Sequence, residues 1–193
     1  NHSTAPGAGI YASDGGKGTK LDFTITNSTI SNNISNQSGG GISLNAYDPS
    51  MVDLNIINST ISNNQSGGHR DWNGGGIVTN GAISMDISSS TITNNKSTGF
   101  GGGISMPDFD EGAAINIQNS IVANNTSAYG SDADLFGNFN VENSLIGDTS
   151  TTYGATINGT VIDQIGDGED QTPDTGNNIL GQDPLLQDLA LSG

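Results

Sequence analysis

Leu21-Asp-Phe-Thr-Ile-Thr-Asn-Ser-Thr-Ile-Ser-Asn-Asn33 decides the fold, because the chain repeats it. It returns as Val52-Asp-Leu-Asn-Ile-Ile-Asn-Ser-Thr-Ile-Ser-Asn-Asn64 and as Met85-Asp-Ile-Ser-Ser-Ser-Thr-Ile-Thr-Asn-Asn95. A fourth copy is Ile115-Asn-Ile-Gln-Asn-Ser-Ile-Val-Ala-Asn-Asn125, and a shorter fifth is Phe139-Asn-Val-Glu-Asn-Ser-Leu-Ile-Gly-Asp148. Apolar residues alternate within each unit, as in Leu21, Phe23 and Ile25, or Ile83, Met85 and Ile87. A period of two means a strand with one face turned inward. After the Asn-Ser-Thr corner, a second short strand turns Ile30, Ile61, Ile92 and Val122 inward. Helical spacing is absent, and the Gly, Asn and β-branched content disfavours helix.

A second motif alternates with the first: Gly7-Ala-Gly-Ile10, Gly39-Gly-Gly-Ile42, Gly74-Gly-Gly-Ile77 and Gly101-Gly-Gly-Ile104. It starts a third strand. Three short strands in roughly 30 residues make one coil of a solenoid. One coil cannot bury its own apolar face, but coils stacked about 4.8 Å apart bury a continuous core. Five to six coils would give a rod of roughly 25–30 Å. The Asn pairs fall at matching corners, where Asn tolerates left-handed backbone and stacked amides can bond in a ladder. The Gly triplets permit sharp bends and close backbone approach.

The alternation of Gly-Gly-Gly-Ile with Asn-Ser-Thr-Ile-Ser-Asn-Asn resembles the right-handed parallel β-helix superfamily. It is most similar to bacterial surface and secreted proteins with polymorphic outer-membrane-protein-type repeats. Those repeats pair a Gly-Gly-Ala-Ile-like motif with a Phe-x-x-Asn-like one; here Ile or Val fills the Phe position, as in Ile30-Ser-Asn-Asn33. The tail Asn178-Ile-Leu-Gly-Gln-Asp-Pro-Leu-Leu186 resembles the end of large bacterial β-helix surface proteins. The resemblance covers about residues 7–190 and implies an all-β, right-handed parallel β-helix. It implies an extracellular or cell-surface location, in bacteria. It does not select a function, since the fold hosts lyases, hydrolases, epimerases, adhesins and fibres.

Along the chain, residues 1–148 are expected to form the coils, with 1–20 an incomplete first coil. Surface insertions are expected at 46–51, 65–73, 96–100 and 106–112. Residues 149–176 read as a polar, acidic excursion, and 177–193 as a Leu-rich cap or junction. The start at Asn1-His2-Ser3 looks like that of a mature or excised segment. An uncapped first coil is an open sheet edge, so an adjoining domain or a second copy stacked end to end is expected to cover it. The apolar residues for such assembly are Ile10, Leu180, Leu185, Leu186 and Leu189.

The 193 residues carry 4 Lys plus Arg against 20 Asp plus Glu, a net charge of -16, which repels nucleic-acid backbones and anionic membranes. Without Cys there is no disulfide framework, thiolate metal site or cysteine nucleophile, and two His cannot make a His-rich metal centre. No apolar run of about 18 residues exists to insert in a membrane. Only 12% of residues are charged, so Asn, Ser and Thr must carry solubility.

Several clusters are candidates for chemistry. His69-Arg70-Asp71-Trp72 contains the only Trp and suits a sugar-binding loop, with Trp72 stacking on a pyranose; an exposed insertion covering the solenoid is the plainer reading. Tyr47 and Tyr129 could add glycan contacts. Asp108, Asp110, Glu111, Asp132 and Asp134 form acidic loops compatible with Ca²⁺, though a solvated acidic surface is the plainer reading. Asp22, Asp53 and Asp86 read as one outward acidic ladder. The four basic residues, Lys17, Lys20, Arg70 and Lys96, read as lying on different insertions, and the negative charge opposes a polyuronate substrate. Thr29, Thr60 and Thr91 align, but one short rank is too narrow for an ice-binding face. Sequons such as Asn27, Asn33, Asn36, Asn58, Asn64, Asn95, Asn125 and Asn158 are explained by corner chemistry. No catalytic set converges. The expectation is a non-enzymatic structural or interaction rod: adhesin stalk, matrix component or fibre subunit. The alternative is a carbohydrate-binding or polysaccharide-processing β-helix.

Overall fold

The computed structural model describes residues 1–13, 20–46, 51–68, 73–81, 83–107, 114–130, 133–149, 156–158, 160–161 and 177–182. Every element among them is a strand, and all pairings but one are parallel. The long-strand sheet stacks Lys20–Thr26, Met51–Ile57, Ile83–Ser88, Ala114–Gln118 and Asn138–Glu142, then Thr156–Ile157. The Thr-Ile sheet stacks Thr29–Ser31, Thr60–Ser62, Thr91–Thr93, Ile121–Ala123, Leu145–Ile146 and Ile179–Leu180. The Gly-led sheet stacks Ile10–Ser13, Ile42–Asn45, Ile77–Asn80, Ile104–Ser105 and Leu135–Phe136. A narrow sheet of His2–Ser3, Ile34–Ser35 and Gln65–Ser66 continues through single bridges at Lys96 and Thr126.

The solenoid expected from the repeats is therefore present, with two differences. Two of the coils have four strands rather than three, and the next two keep a single bridge, at Lys96 and Thr126, in the fourth position. There are about four turns rather than five to six, because the first and last repeats contribute only parts of a coil. The narrow strands were invisible to periodicity because their inward residues are Ser35, Ser66 and Ser97, buried polar side chains with no apolar alternation. For the same reason the insertions are shorter than expected. Gln65 and Ser66 belong to the stack, Asn73 is fully buried, Ser97 and Phe100 are buried, and Met106 joins the core. Within 149–176, Thr156–Ile157 extends the long-strand sheet and pairs antiparallel with Thr160–Val161, so part of that stretch is coil rather than excursion.

Register follows the apolar face. Phe23, Leu54, Met85, Ile115 and Phe139 are stacked partners, as are Ile25, Ile56, Ile87, Ile117 and Val141. Ile30, Ile61, Ile92, Val122, Ile146 and Leu180 form a third rank, and Ile10, Ile42, Ile77, Ile104 and Leu135 a fourth. The middle members are sealed from solvent, while Ile10, Leu21, Phe23, Ile30 and Leu180 at the ends are only partly buried. A slip of one residue would turn a whole rank outward, so burial fixes the stacking.

Corners are built from left-handed residues. Asn27, Asn58, Ser89, Asn119 and Asn143 take φ near +50° at one corner, and Asn32, Asn63, Asn94 and Asn124 take φ of 55–61° at the next. The residue after each is buried, except Ser28 at the open end of the stack. Ser28, Ser59, Ser90 and Ser120 each receive, at the backbone N–H, the next coil's Ser Oγ as acceptor at 3.0–3.1 Å. The series ends where the Ser144 N–H donates to Asn178 Oδ1 at 2.8 Å.

Candidate functional site

The second corner holds the more closely satisfied ladder. Asn33, Asn64, Asn95 and Asn125 follow their left-handed neighbours into the interior and are at most 5% exposed. Asn95 represents the set. Its Oδ1 accepts from the Asn64 backbone N–H and from Asn64 Nδ2, both at 3.0 Å. Its Nδ2 donates to Asn125 Oδ1 and to the Ile61 carbonyl, also at 3.0 Å. Asn64, Asn95 and Asn125 thus fill both acceptor and both donor positions, while Asn33 at the open end donates once, to Asn64 Oδ1, and accepts from the chain's terminal amine; all point the same way along the rod.

The ladder ends on a carboxylate. Asp134, fully buried, accepts at Oδ1 from the Asn125 backbone N–H at 3.0 Å and Asn125 Nδ2 at 2.7 Å. Its Oδ2 accepts from the Asp148 N–H at 2.5 Å. Asp134, a candidate Ca²⁺ ligand from the sequence, turns its two oxygens into the rod, where N–H donors engage them. Asp132, Asp108, Asp110 and Glu111, the other candidates for Ca²⁺, lie outside the described residues. Among the described residues, no three His, Asp or Glu gather to hold a metal.

Burial pushes the Asp134 carboxyl up to about 7, against the Asn125 and Asp148 hydrogen bonds that favour the charged form; the nearby Asp148 carboxylate adds a smaller upward push. An acid with a folded pKa above its unfolded value near 3.8 binds its proton more tightly in the folded state. Its stabilising contribution is full below about pH 4 and is lost as the pH rises to about 7. Asp134→Asn removes this component, on the order of a few kcal/mol across that window. Urea midpoints of both proteins from pH 4 to 7.5 check it; parallel profiles would show that Asp134 does not titrate in this range.

The other sequence candidates separate. His69, Arg70, Asp71, Trp72 and Tyr47 lie outside the described residues, as do Lys17, Leu185, Leu186 and Leu189. Ile10 and Leu180 sit in the inward ranks at opposite ends of the stack. Lys20 is not on an insertion: it opens a strand, and its amine meets Asp53 at 2.5 Å and Asp22 at 3.1 Å, which hold its pKa above the usual value. Lys96 likewise stands in the stack, between Gln65 and Thr126. The three-Asp ladder is corrected. Asp22 and Asp53 are partners, but Asp53 faces Ser84, while Asp86 pairs with Asn55 and Asn116. Counting back from the Thr-Ile corner reveals this, since the third repeat reaches Thr91 two residues sooner. The rank of Thr29, Thr60 and Thr91 continues as Ile121, Leu145 and Ile179. Tyr129, 54% exposed, stacks on Phe100 with centroids 4.5 Å apart, and Phe100 stacks in turn on Phe136 at 5.0 Å.

Sequence reading missed a groove over the outer face of the Gly-led sheet. It encloses about 250 Å³. Ser43 and Val78 form the floor, Gln37 and Ser38 one wall, Asn45 and Asn80 the other, with Pro6 and Pro107 also lining it. The amide wall is a hydrogen-bonded row: Asn80 Nδ2 donates to Asn45 Oδ1 at 2.9 Å, and Asn45 Nδ2 donates to the Tyr11 hydroxyl at 3.3 Å. The opposite wall is braced by Ser38 Oγ donating to Asn73 Oδ1 at 3.0 Å and Gln37 Nε2 donating to the Thr4 carbonyl at 2.9 Å. The signal in sequence was the outward pair Ser43/Asn45 recurring as Val78/Asn80, one step off the core residues.

A family model described as a right handed beta helix region matches residues 1–165. No curated protein and no solved structure matches the chain.

Proposed function

The chain belongs to the right-handed β-helix family, and on that footing we propose that it serves as a non-catalytic structural and interaction rod of a secreted or cell-surface protein. The observation that carries the reading is the continuity of the interior. Buried aliphatic ranks and the Asn ladder run from coil to coil, so load applied at one end is shared by hydrogen bonds and packing all along the rod. The polymorphic outer-membrane-protein-type motifs noted in the sequence favour a bacterial surface setting, as an adhesin stalk, a matrix component or a subunit that joins copies or adjoining domains end to end.

The test is incubation with a polysaccharide panel, reading reducing ends and unsaturated uronates, beside limited proteolysis of the folded chain. The expected result is no cleavage of any polysaccharide and a protease-resistant body over the stacked coils. Release of either product would replace the rod with an enzyme. Rapid digestion within 20–148 would remove the mechanical reading.

A further inference from the structure

We propose that the first face of the stack is a docking surface for a half-coil of the chain's own repeat. The occupant is one long strand, an Asn-Ser-Thr corner and a Thr-Ile strand, running parallel to the coils beneath and joined to the backbone nitrogen of Asn1. Residues 1–13 set its register. The Asn1 carbonyl accepts from the Ile34 N–H at 2.8 Å, just as the Asn33, Asn64 and Asn95 carbonyls accept from Gln65, Lys96 and Thr126 at 2.8–2.9 Å. The Asn1 amine meets Asn33 Oδ1 at 3.4 Å, and along the ladder this is the atom that receives a backbone N–H. His2–Ser3 lies on Ile34–Ser35, and Gly7 follows Asn1 by six residues, as Gly39 follows Asn33. Asn1 therefore stands in the ladder position of a further coil, to which residues 1–13 contribute the narrow and Gly-led strands.

The other two positions of that coil lie over Lys20–Thr26 and Thr29–Ser31, the end strands of their sheets among the described residues. Leu21, Phe23 and Ile30 are only partly buried there, while their partners one coil down, Val52, Leu54 and Ile61, are at most 1% exposed. An aliphatic half-coil would complete all three ranks. The polar groups are equally specific. Asn64, Asn95 and Asn125 each donate from Nδ2 to the carbonyl of the preceding coil's inward residue, Ile30, Ile61 or Ile92, at 2.9–3.1 Å. Ile30 stands three residues before Asn33, so the equivalent carbonyl for Asn33 belongs to the residue three before Asn1. Ser59 and Ser90 Oγ accept from the serine N–H of the preceding coil at 3.1 Å. By the same register Ser28 Oγ faces the N–H of the residue five before Asn1. The fit thus calls for an aliphatic residue at the first of these places and a corner residue at the second.

A second copy is a poorer fit. Turned head to head, it brings one Asn33 Oδ1 acceptor toward another and sets the sheet edges antiparallel. Stacked head to tail, it presents an end on which Thr160–Val161 already runs antiparallel along the outer edge of Thr156–Ile157. Neither arrangement continues the parallel register.

The inference rests on the rod reading only in taking the stack to be extended at this end; polysaccharide turnover by the unextended chain would remove that reading and leave this face as it is. The test extends the full chain by a copy of Ile83–Asn94 placed directly before Asn1, so that Asn1 completes the repeat as Asn95 does. The expected result is a rise in melting temperature of about 5 °C or more. Exchange of the Thr29 N–H should slow about tenfold or more, since its counterparts Thr60 and Thr91 donate across the coils at 2.9 Å. The same extension carrying Met85→Ser, Ile87→Ser and Ile92→Ser in the copy should give neither effect. A second extension, copied from Val52–Asn63, guards against one graft failing to fold, and unchanged exchange at Ile61 shows that the body beneath is intact. No gain from either extension overturns the proposal, as does an equal gain from the serine version. Concentration-dependent dimerisation of the unextended chain that protects Thr29 would also overturn it, by assigning the face to a second copy.

Discussion

Replacing Asn95 by Ala is expected to cost about 4 kcal/mol or more of unfolding free energy, seen as a large fall in the urea midpoint. The side chain is wholly buried and makes four hydrogen bonds, to Asn64 twice, to Asn125 and to the Ile61 carbonyl. Truncation strands the Asn64 N–H and one Asn64 amide hydrogen, the Ile61 carbonyl and a lone pair on Asn125. Each orphaned buried group costs about 1–3 kcal/mol, and partial relaxation or a trapped water recovers part of the total. The neighbouring Asn94 is the control. It sits at φ 55° because the corner requires it, and Asn94→Gly should change stability by only a few tenths of a kcal/mol. Equal effects at 94 and 95 would mean that the ladder contributes no more than the turn. Amide exchange adds a spatial readout: Asn95→Ala should deprotect the coils on either side before the ends of the rod, since neighbours in a solenoid share one interface.

Gly76→Ala is expected to be comparably damaging, for a different reason. Gly76 does not have positive φ; its requirement is closeness. A Cβ there would lie 2.6 Å from the Gly103 carbonyl oxygen and 3.0 Å from Asn95 Nδ2. The first contact is with backbone of the next coil, which cannot swing aside without opening the stack and disturbing the ladder. A loss of about 3 kcal/mol or more follows, at the upper end of overpacking costs. Gly130 provides the contrast. It has φ +76°, yet a Cβ meets nothing within 4 Å, so Gly130→Ala should cost only the backbone strain, about 1–2 kcal/mol. Thermal melts of the two variants check the ordering. If Gly130→Ala proves the worse, backbone conformation outweighs coil-to-coil contact in this fold.

The two substitutions refine what the Gly triplets mean. As a sequence they suggest sharp bends and close backbone approach, and the first glycine of three of the four motifs does bend: Gly7, Gly39 and Gly101 have φ of 62–68°. The later positions have another task. A Cβ on Gly41, Gly76 or Gly103 would lie 2.5–2.6 Å from a carbonyl of the following coil. Bend and close approach were both legible in the motif; which glycine serves which, and which carbonyl about thirty residues away it meets, was not.

Legibility of the site was lower still. The Asn ladder was readable because identical residues recur at one corner. Its terminus on Asp134 was not, because Asp134 follows Asn125 by nine residues along a shortened coil, and in the linear chain it stands in an acidic-looking loop. Its carboxylate is recognisable as a ladder member only when the stack sets Leu135 on Ile104 and so brings Asp134 within reach of Asn125. The groove was hidden differently. Its walls come from residues around 37–38, 45 and 80, none of which forms a motif, and from prolines at 6 and 107 that read as punctuation.

The alternation of apolar residues, the recurrence of Asn-Ser and Asn-Asn corners and the Gly triplets were enough, by themselves, to determine a parallel solenoid and its inward ranks, because one coil with that pattern has nowhere else to hide its apolar face. Tertiary structure alone decided the fourth strand, which is held by backbone pairing and buried serines rather than by apolar periodicity. It decided the register that separates Asp86 from Asp22 and Asp53, since register depends on where each coil's corner falls. It also decided the groove over the Gly-led sheet, which exists only once outward residues of successive coils are brought side by side.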